Sequence, residues 1–205
     1  MIDKRAVGMI GANCYLFVCD ETKKAVLIDP GAEGQKLYRW VTEKGVEVEY
    51  ILITHGHADH IEAVDELRDL LGAKVAIHSA DAEMLTDGEK NLSGLLGKSL
   101  AYKPADILLK DGDVLTVGKE SITVIATPGH SQGCVCFLTR EALFSGDTLF
   151  AGSIGRTDFP GGSLEQLLRG VREKLLSLPV ETRVLPGHQE ETTIGREKAS
   201  NPFLR

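Results

Sequence analysis

Apolar positions along the chain fall into short blocks separated by polar turns, and their period changes from block to block. Residues 15–19 and 25–28 are near-continuous apolar runs that predict two strands, joined by the polar turn Asp20-Glu21-Thr22-Lys23. Residues 35–44 predict a helix that stops at Gly45, and 48–53 a buried strand. Ile61, Val64, Leu67 and Leu71 recur at helical spacing, and Gly72 ends that helix. Residues 75–77 predict a further short strand. The stretch 86–103 is rich in Gly and Ser and predicts a mobile segment. Beyond it, 114–117, 122–125, 135–138 and 142–144 predict strands. Ser163-Leu164-Glu165-Gln166 is a capping box for a helix reaching about Ser177. Residues 184–185 predict a last strand, and 193–200 a short helix stopped by Asn201-Pro202. Two successive blocks of strands, each followed by helix, allow a two-sheet core covered by helices.

Composition narrows the class. The chain has 205 residues, 42% hydrophobic and 26% charged, as a globular domain requires. No apolar run is long enough to span a bilayer, and the N-terminus lacks the apolar core of a signal peptide, so a cytoplasmic protein is expected, with no membrane partner. The net charge of −7 repels phosphate backbones, so no nucleic-acid partner is expected. Cys14, Cys19, Cys134 and Cys136 form no Cys-x-x-Cys pair; they are expected to be buried reduced thiols rather than a disulfide or redox pair. The sequence is silent on oligomeric state.

The histidines change the picture most. Thr54-His55-Gly56-His57-Ala58-Asp59-His60 follows a predicted strand and opens a helix, placing three imidazoles and a carboxylate within six residues. Core packing does not explain such a run, whereas imidazoles at short spacing suit a metal. Three more segments repeat one form, a strand and then a Gly directly before a His or Asp: Thr127-Pro128-Gly129-His130, Ser145-Gly146-Asp147 and Pro186-Gly187-His188. Glycine permits the sharp turn that aims the next side chain off a sheet edge. Five of the six histidines lie in these segments; the sixth, His78, ends a predicted strand and reads as a hydrogen-bonded structural residue. There is no Gly-x-Ser-x-Gly elbow and no Walker motif, so no rival catalytic set competes.

These motifs resemble those of the metallo-β-lactamase superfamily. Within it, the segment 150–163 with Gly155-Arg156-Thr157-Asp158-Phe159, and the ending 192–204, are similar to short bacterial members of the glyoxalase II-like group. The resemblance implies an α/β fold, an αββα sandwich of two mixed sheets flanked by helices, over one domain at 1–205. It implies that His55, His57 and His130 hold one cation, that Asp59, His60 and His188 hold a second, and that Asp147 bridges them. Two divalent cations are expected, zinc first, with iron or manganese accepted by the same donors. The implied activity is hydrolysis of a small-molecule thioester, an S-2-hydroxyacylglutathione or a related thiol ester, by a hydroxide shared between the cations, with Asp59 orienting it. Larger glyoxalase II enzymes continue into a helical domain that supplies glutathione contacts; here the chain ends soon after His188, which leaves the thiol carrier open. Arg156 is a candidate substrate contact, with an Arg156–Asp158 pair that merely orders the loop as the plainer reading. The same residues permit a mononuclear iron persulfide dioxygenase built on His55, His130 and Asp147. A non-enzymatic metal- or partner-binding domain is a third reading.

Overall fold

Strand-forming blocks with alternating faces build two six-stranded sheets packed face to face. The computed structural model describes the whole chain, Met1–Arg205. The first sheet comprises β1 (Ile2–Val7), β2 (Ala12–Val18), β3 (Lys24–Ile28), β4 (Glu47–Ile53), β5 (Lys74–His78) and β6 (Ile107–Leu109), which lie side by side in sequential order. Its first two pairings are antiparallel and the rest parallel. The second half of the chain supplies β7 (Val114–Val117), β8 (Glu120–Ala126), β9 (Val135–Leu138), β10 (Ala142–Gly146), the small hairpin β11 (Leu149–Phe150) and β12 (Ser153–Ile154), then β13 (Arg183–Pro186) and β14 (Thr192–Thr193). The second sheet runs β14-β13-β10-β9-β8-β7 in space, with only β10 and β13 parallel.

The period-two alternation of each strand divides its residues between two apolar layers. On β2, Tyr15 and Phe17 face the second sheet and pack with Phe137 and Phe144, while Leu16 and Val18 face outward onto helices. Those helices are α1 (Gly34–Glu43), with Leu37, Trp40 and Val41 inward, and α3 (Val64–Leu71), with Val64 and Leu67 inward; short α2 (Ala58–Ile61) lies between them in the chain. The remaining short helix of this half is α4 (Ala82–Thr86). On the other side, Cys136, Leu143 and Val184 meet α5 (Leu164–Gly170), its continuation as a π-helical turn Val171–Leu175, and α6 (Ile194–Ser200). The result is the expected αββα sandwich. Burial on both faces explains why β2 reads in sequence as a solid apolar run with no evident inner side.

The structure adds edge elements that the apolar pattern does not signal. β1 is Ile2-Asp3-Lys4-Arg5-Ala6-Val7, a largely charged edge strand held by pairing with β2. β6, β11, β12 and β14 are three residues or fewer. Ser163 caps α5 by accepting from the Gln166 N–H at 3.3 Å. The stretch 86–103 is no slack loop. Asn91, fully buried, donates to the carbonyls of Met84 and Leu100 at 3.0 and 2.8 Å, and Ser93 ties to Gly88 and Leu100. Its Gly and Ser content signals turns here rather than mobility. The four cysteines are free and buried, and burial raises the thiol pKa of Cys14, Cys134 and Cys136. No helix is long and apolar enough to cross a membrane.

Strand direction, more than strand count, determines where side chains can converge. β3 and β4 are parallel neighbours in one sheet; β8, β10 and β13 run the same way in the other. Their carboxyl ends emerge at one edge of the sandwich, where the sheets are tied by main-chain bonds from Asn13 N to Gly187 O at 2.7 Å and from Val135 N to Thr54 O at 2.9 Å.

Candidate metal centre

Each strand end at that edge turns sharply and delivers one segment. β4 runs into His55 and His57, and His57 precedes α2, whose first turn carries Asp59 and His60. The turn after β8 delivers His130, the end of β10 delivers Asp147, and the turn after β13 delivers His188. Gly187 shows why glycine stands before a candidate donor. A Cβ there would lie 2.3 Å from Asp147 Oδ1 and 2.7 Å from the His60 ring. All seven residues singled out in the sequence converge on one spot.

The donor atoms form overlapping triplets: His55 with His57 and His130, Asp59 with His60 and His188, and His55 with His60 and Asp147; within each, the donors lie within 4.8 Å of one another. His57 Nδ1 stands 2.9 Å from His130 Nε2. His188 Nε2 stands 3.1 Å from Asp59 Oδ2, and His60 Nε2 is 3.4 Å from the same oxygen. Asp147 reaches into both halves, at 3.6 Å from His130, 3.5 Å from His60 and 3.7 Å from His188. A carboxylate placed in this way suits a bridging position.

The fit to a cation is testable on this geometry. Three buried atoms have no hydrogen-bond partner: His55 Nε2, His60 Nε2 and Asp147 Oδ1. Each would cost about 1–3 kcal/mol if left bare, and all three face the same point. The opposite nitrogens of the rings are engaged. His60 Nδ1 donates to Asp29 Oδ2 at 3.1 Å, His130 Nδ1 to the Arg156 carbonyl at 2.7 Å, and His55 Nδ1 to Thr54 Oγ1 at 3.1 Å. The Thr54 hydroxyl passes the chain on to Asp29 Oδ2 at 2.6 Å. A proton fixed on the outer nitrogen leaves the inner one as a lone-pair donor, as metal-binding histidines require.

Electrostatics agree with that assignment. Burial, reinforced by the neighbouring imidazoles, holds His55 well below the usual imidazole range and pushes His57 down to about 3, so both present neutral rings. Burial opposes charge on Asp59, yet the cationic form of His60 and the bond from His188 outweigh it and hold the carboxyl below its usual range. Burial likewise opposes a proton on His60 and His188, but the carboxylates of Asp59 and Asp147 raise both. Without a cation, the two acids are balanced by these two histidines.

Two supporting residues escape a reading of the motifs. Asp29 closes β3 with a left-handed backbone (φ 51°) and accepts from Thr54 N–H, the Thr54 hydroxyl and His60. Asp29 stands directly at a strand end before the turn Pro30-Gly31, but no glycine precedes it, so it lacks the mark of the other segments. Asp81, buried at the start of α4, accepts from Gly56 N–H, Gly133 N–H and Ser131 Oγ, tying the His55–His57 loop to the His130 loop. Nothing in its sequence surroundings marks it. His78 lies outside the cluster; its Nδ1 accepts from the Ala80 N–H at 3.2 Å.

Arg156 borders the cavity over these groups, a space of about 510 Å³. Its guanidinium binds Asp158 in a bidentate pair, both contacts at 2.7 Å, and lies 4.0 Å over the Phe159 ring. Its brace on His130 is made by the main-chain carbonyl. The Arg156–Asp158 pair expected of the loop is therefore present on the guanidinium, while the contact to His130 belongs to the main chain.

Comparison with known proteins agrees with the geometry. Residues 7–188 match the family model of the metallo-beta-lactamase superfamily. The chain is 43% identical to the probable metallo-hydrolase YqgX of Bacillus subtilis (strain 168), over 97% of this chain and 94% of that one. It is 35% identical to hydroxyacylglutathione hydrolase GloC of Haemophilus influenzae, over 94% and 92%. Among solved structures it resembles BLEG-1 B3 metallo-beta-lactamase, with a TM-score of 0.95, 41% identity and coverage of 100% and 99%. TTHA1623 in a di-iron-bound form superposes with a TM-score of 0.87 at 38% identity, covering 98% of this chain and all of that one, 100%.

Proposed function

The chain belongs to the metallo-beta-lactamase superfamily, and on that premise we propose that it is a metal-dependent hydrolase of thioesters, with the hydroxyacylglutathione hydrolases as its functional kin. The observation that carries the proposal is the orphaned trio His55 Nε2, His60 Nε2 and Asp147 Oδ1 at the junction of two three-residue donor groups. A complete second group, Asp59, His60 and His188, suits a pair of cations better than one.

Two bound divalent cations would supply Lewis acidity and lower the pKa of a bound water to about 7 from about 15.7. Zinc fits the His and Asp donors; iron fits them too, and a 38% identical neighbour holds two irons. The protein's own groups do the rest. His55, His57 and His130 would hold one cation and Asp59, His60 and His188 the second, with Asp147 within reach of both groups. Asp59 borders the cavity and stays ionised, so its carboxylate can orient the attacking water by accepting a hydrogen bond. Phe150 and Phe159 wall the cavity and limit competing solvent. The test is elemental analysis joined to thiol release from acyl thioesters. Two metals per chain and chelator-sensitive thiol release are expected. One iron per chain, oxygen uptake with glutathione persulfide and no thiol release would replace this reading with the dioxygenase.

Arg156 is proposed to position substrate through Phe159 rather than as a free counter-ion, because Asp158 already neutralises it. Arg156→Ala keeps the carbonyl that braces His130, so metal content is expected to stay at the wild-type level. Loss of the exposed cation–π contact is worth about 0.5–1 kcal/mol, a KM rise of about two- to fivefold. Steady-state kinetics with metal analysis check this; a fall in metal content would make the side chain a brace instead.

A further inference from the structure

The mouth of the cavity is apolar in places where folding gives no reason for it. Met9 and Ile10 form the tip of the β1–β2 hairpin, between Gly8 and Gly11, at positions where turns ordinarily carry polar residues. They are 85% and 55% exposed. A second loop, the 3₁₀ turn Ser93–Leu96, presents Leu95 at 71% exposure, with Leu92 and Leu96 half-buried beside it. Leu92 adopts a left-handed backbone (φ 62°) that leucine seldom takes. This turn is anchored directly to the candidate centre, since Ala58 N–H at the start of α2 donates to Asn91 O at 2.9 Å. Ile10, Leu92, Leu95 and Leu96 line the same cavity as His57, Asp59 and Asp147.

Charge in this cavity is as telling as its apolar surface. Arg156 is the one permanently cationic residue among its lining side chains, and Asp158 already occupies it. Lys98, at the neighbouring rim, is paired with Glu62 at 2.6 Å. A substrate body carrying carboxylates finds no unpaired side-chain cation here, while an apolar body finds two loops of exposed Ile and Leu. Isolated exposed apolar residues are ordinary, but a contiguous set bordering a reactive groove marks a binding surface.

We infer that this trough is an acyl-chain subsite: the protein selects thioesters whose acyl group is an apolar chain over short hydroxyacyl thioesters. The inference rests on the thioester reading and specifies its substrate class. The reaction is plain hydrolysis. Water adds to the carbonyl carbon, the C–S bond breaks, and the products are the fatty carboxylic acid and the free thiol.

The test uses metal-loaded protein and a series of N-acetylcysteamine thioesters from acetyl to octanoyl. The value of kcat/KM is expected to rise about fourfold per methylene, equivalent to about 0.8 kcal/mol, until the trough is filled. Leu95→Asp and Ile10→Asp, both at exposed positions, are expected to flatten that dependence. A flat wild-type profile, or an unchanged slope in both variants, overturns the inference. Calorimetric binding of the S-octyl thioether of N-acetylcysteamine separates subsite from reaction. If no thioester is cleaved yet the thioether binds and both variants lose it, the thioester reading fails and the apolar subsite stands. If thioesters are cleaved at equal rates and the thioether does not bind, the subsite fails alone.

Discussion

Removing divalent metal with a chelator is expected to abolish thioester hydrolysis and to lower the melting temperature by about 10 °C, without unfolding the sandwich at room temperature. The activity loss follows from the site, because no side chain here replaces the Lewis acid: there is no serine elbow, burial raises the thiol pKa of Cys14, Cys134 and Cys136, and Cys19, whose thiol pKa is lowered by hydrogen bonds from Thr22 and Lys119, is not among the residues lining the cavity. The thermal shift follows from linkage. A ligand at a thousandfold excess over its Kd stabilises the native state by about 4 kcal/mol, and each kcal/mol is worth about 2–4 °C in a chain of this size. The fold itself survives because its three apolar layers are built from strands and helices that do not depend on the centre. Removal leaves His55 Nε2, His60 Nε2 and Asp147 Oδ1 without a hydrogen-bond partner, and the carboxylates of Asp59 and Asp147 then face His60 and His188, whose pKa values they raise. Thermal unfolding with and without chelator, followed by re-addition of zinc or iron, measures both effects. Full activity in a metal-free preparation would end the metallohydrolase reading.

The centre was far more legible in the sequence than the frame around it. Histidine and aspartate next to glycine have no packing reason to recur after strands, so seven residues spread from His55 to His188 stand out by chemistry alone. Their convergence needs only that the strand ends share an edge. Asp81 carries no such mark: it is a lone aspartate in a helical start, and its value comes from three partners distant in sequence, Gly56, Ser131 and Gly133. β1 escapes for the opposite reason, because an edge strand exposed to solvent is free to be charged. The 86–103 stretch shows how composition misleads. Glycine and serine suggest slack, yet buried Asn91 staples the loop to Met84 and Leu100, and buried Ser93 ties it to Gly88 and Leu100. The apolar tip at Met9 and Ile10 was equally hidden, since two apolar residues between glycines look like any short hydrophobic run until the hairpin is seen to border the cavity.

Asp29 is expected to be the most sensitive position outside the seven donors, and two substitutions separate its two jobs. In Asp29→Ala, the Thr54 N–H, the Thr54 hydroxyl and His60 Nδ1 lose their shared acceptor in a site only 2% exposed. Stranding buried donors in this way costs about 3–5 kcal/mol, and alanine adds strain at a positive φ. A fall of roughly 6–20 °C in melting temperature is expected. Asp29→Asn behaves differently. Asparagine is isosteric and tolerates the left-handed backbone, and its oxygen can still accept from Thr54 N–H, so the fold is kept. Its amide nitrogen then stands where Oδ2 stood, facing His60 Nδ1 as a donor. His60 must answer as an acceptor, which moves its proton to Nε2, the atom aimed at the centre. That tautomer cannot ligate, so metal affinity in the Asp59, His60 and His188 group is expected to fall about 10- to 100-fold while the melting temperature of the chelated protein stays near wild type. Metal titration by calorimetry alongside thermal unfolding reads the two effects apart. Wild-type metal affinity in Asp29→Asn would show that His60 does not take its orientation from this carboxylate, and the relay Asp29–Thr54–His55 would then be the part of the network that matters.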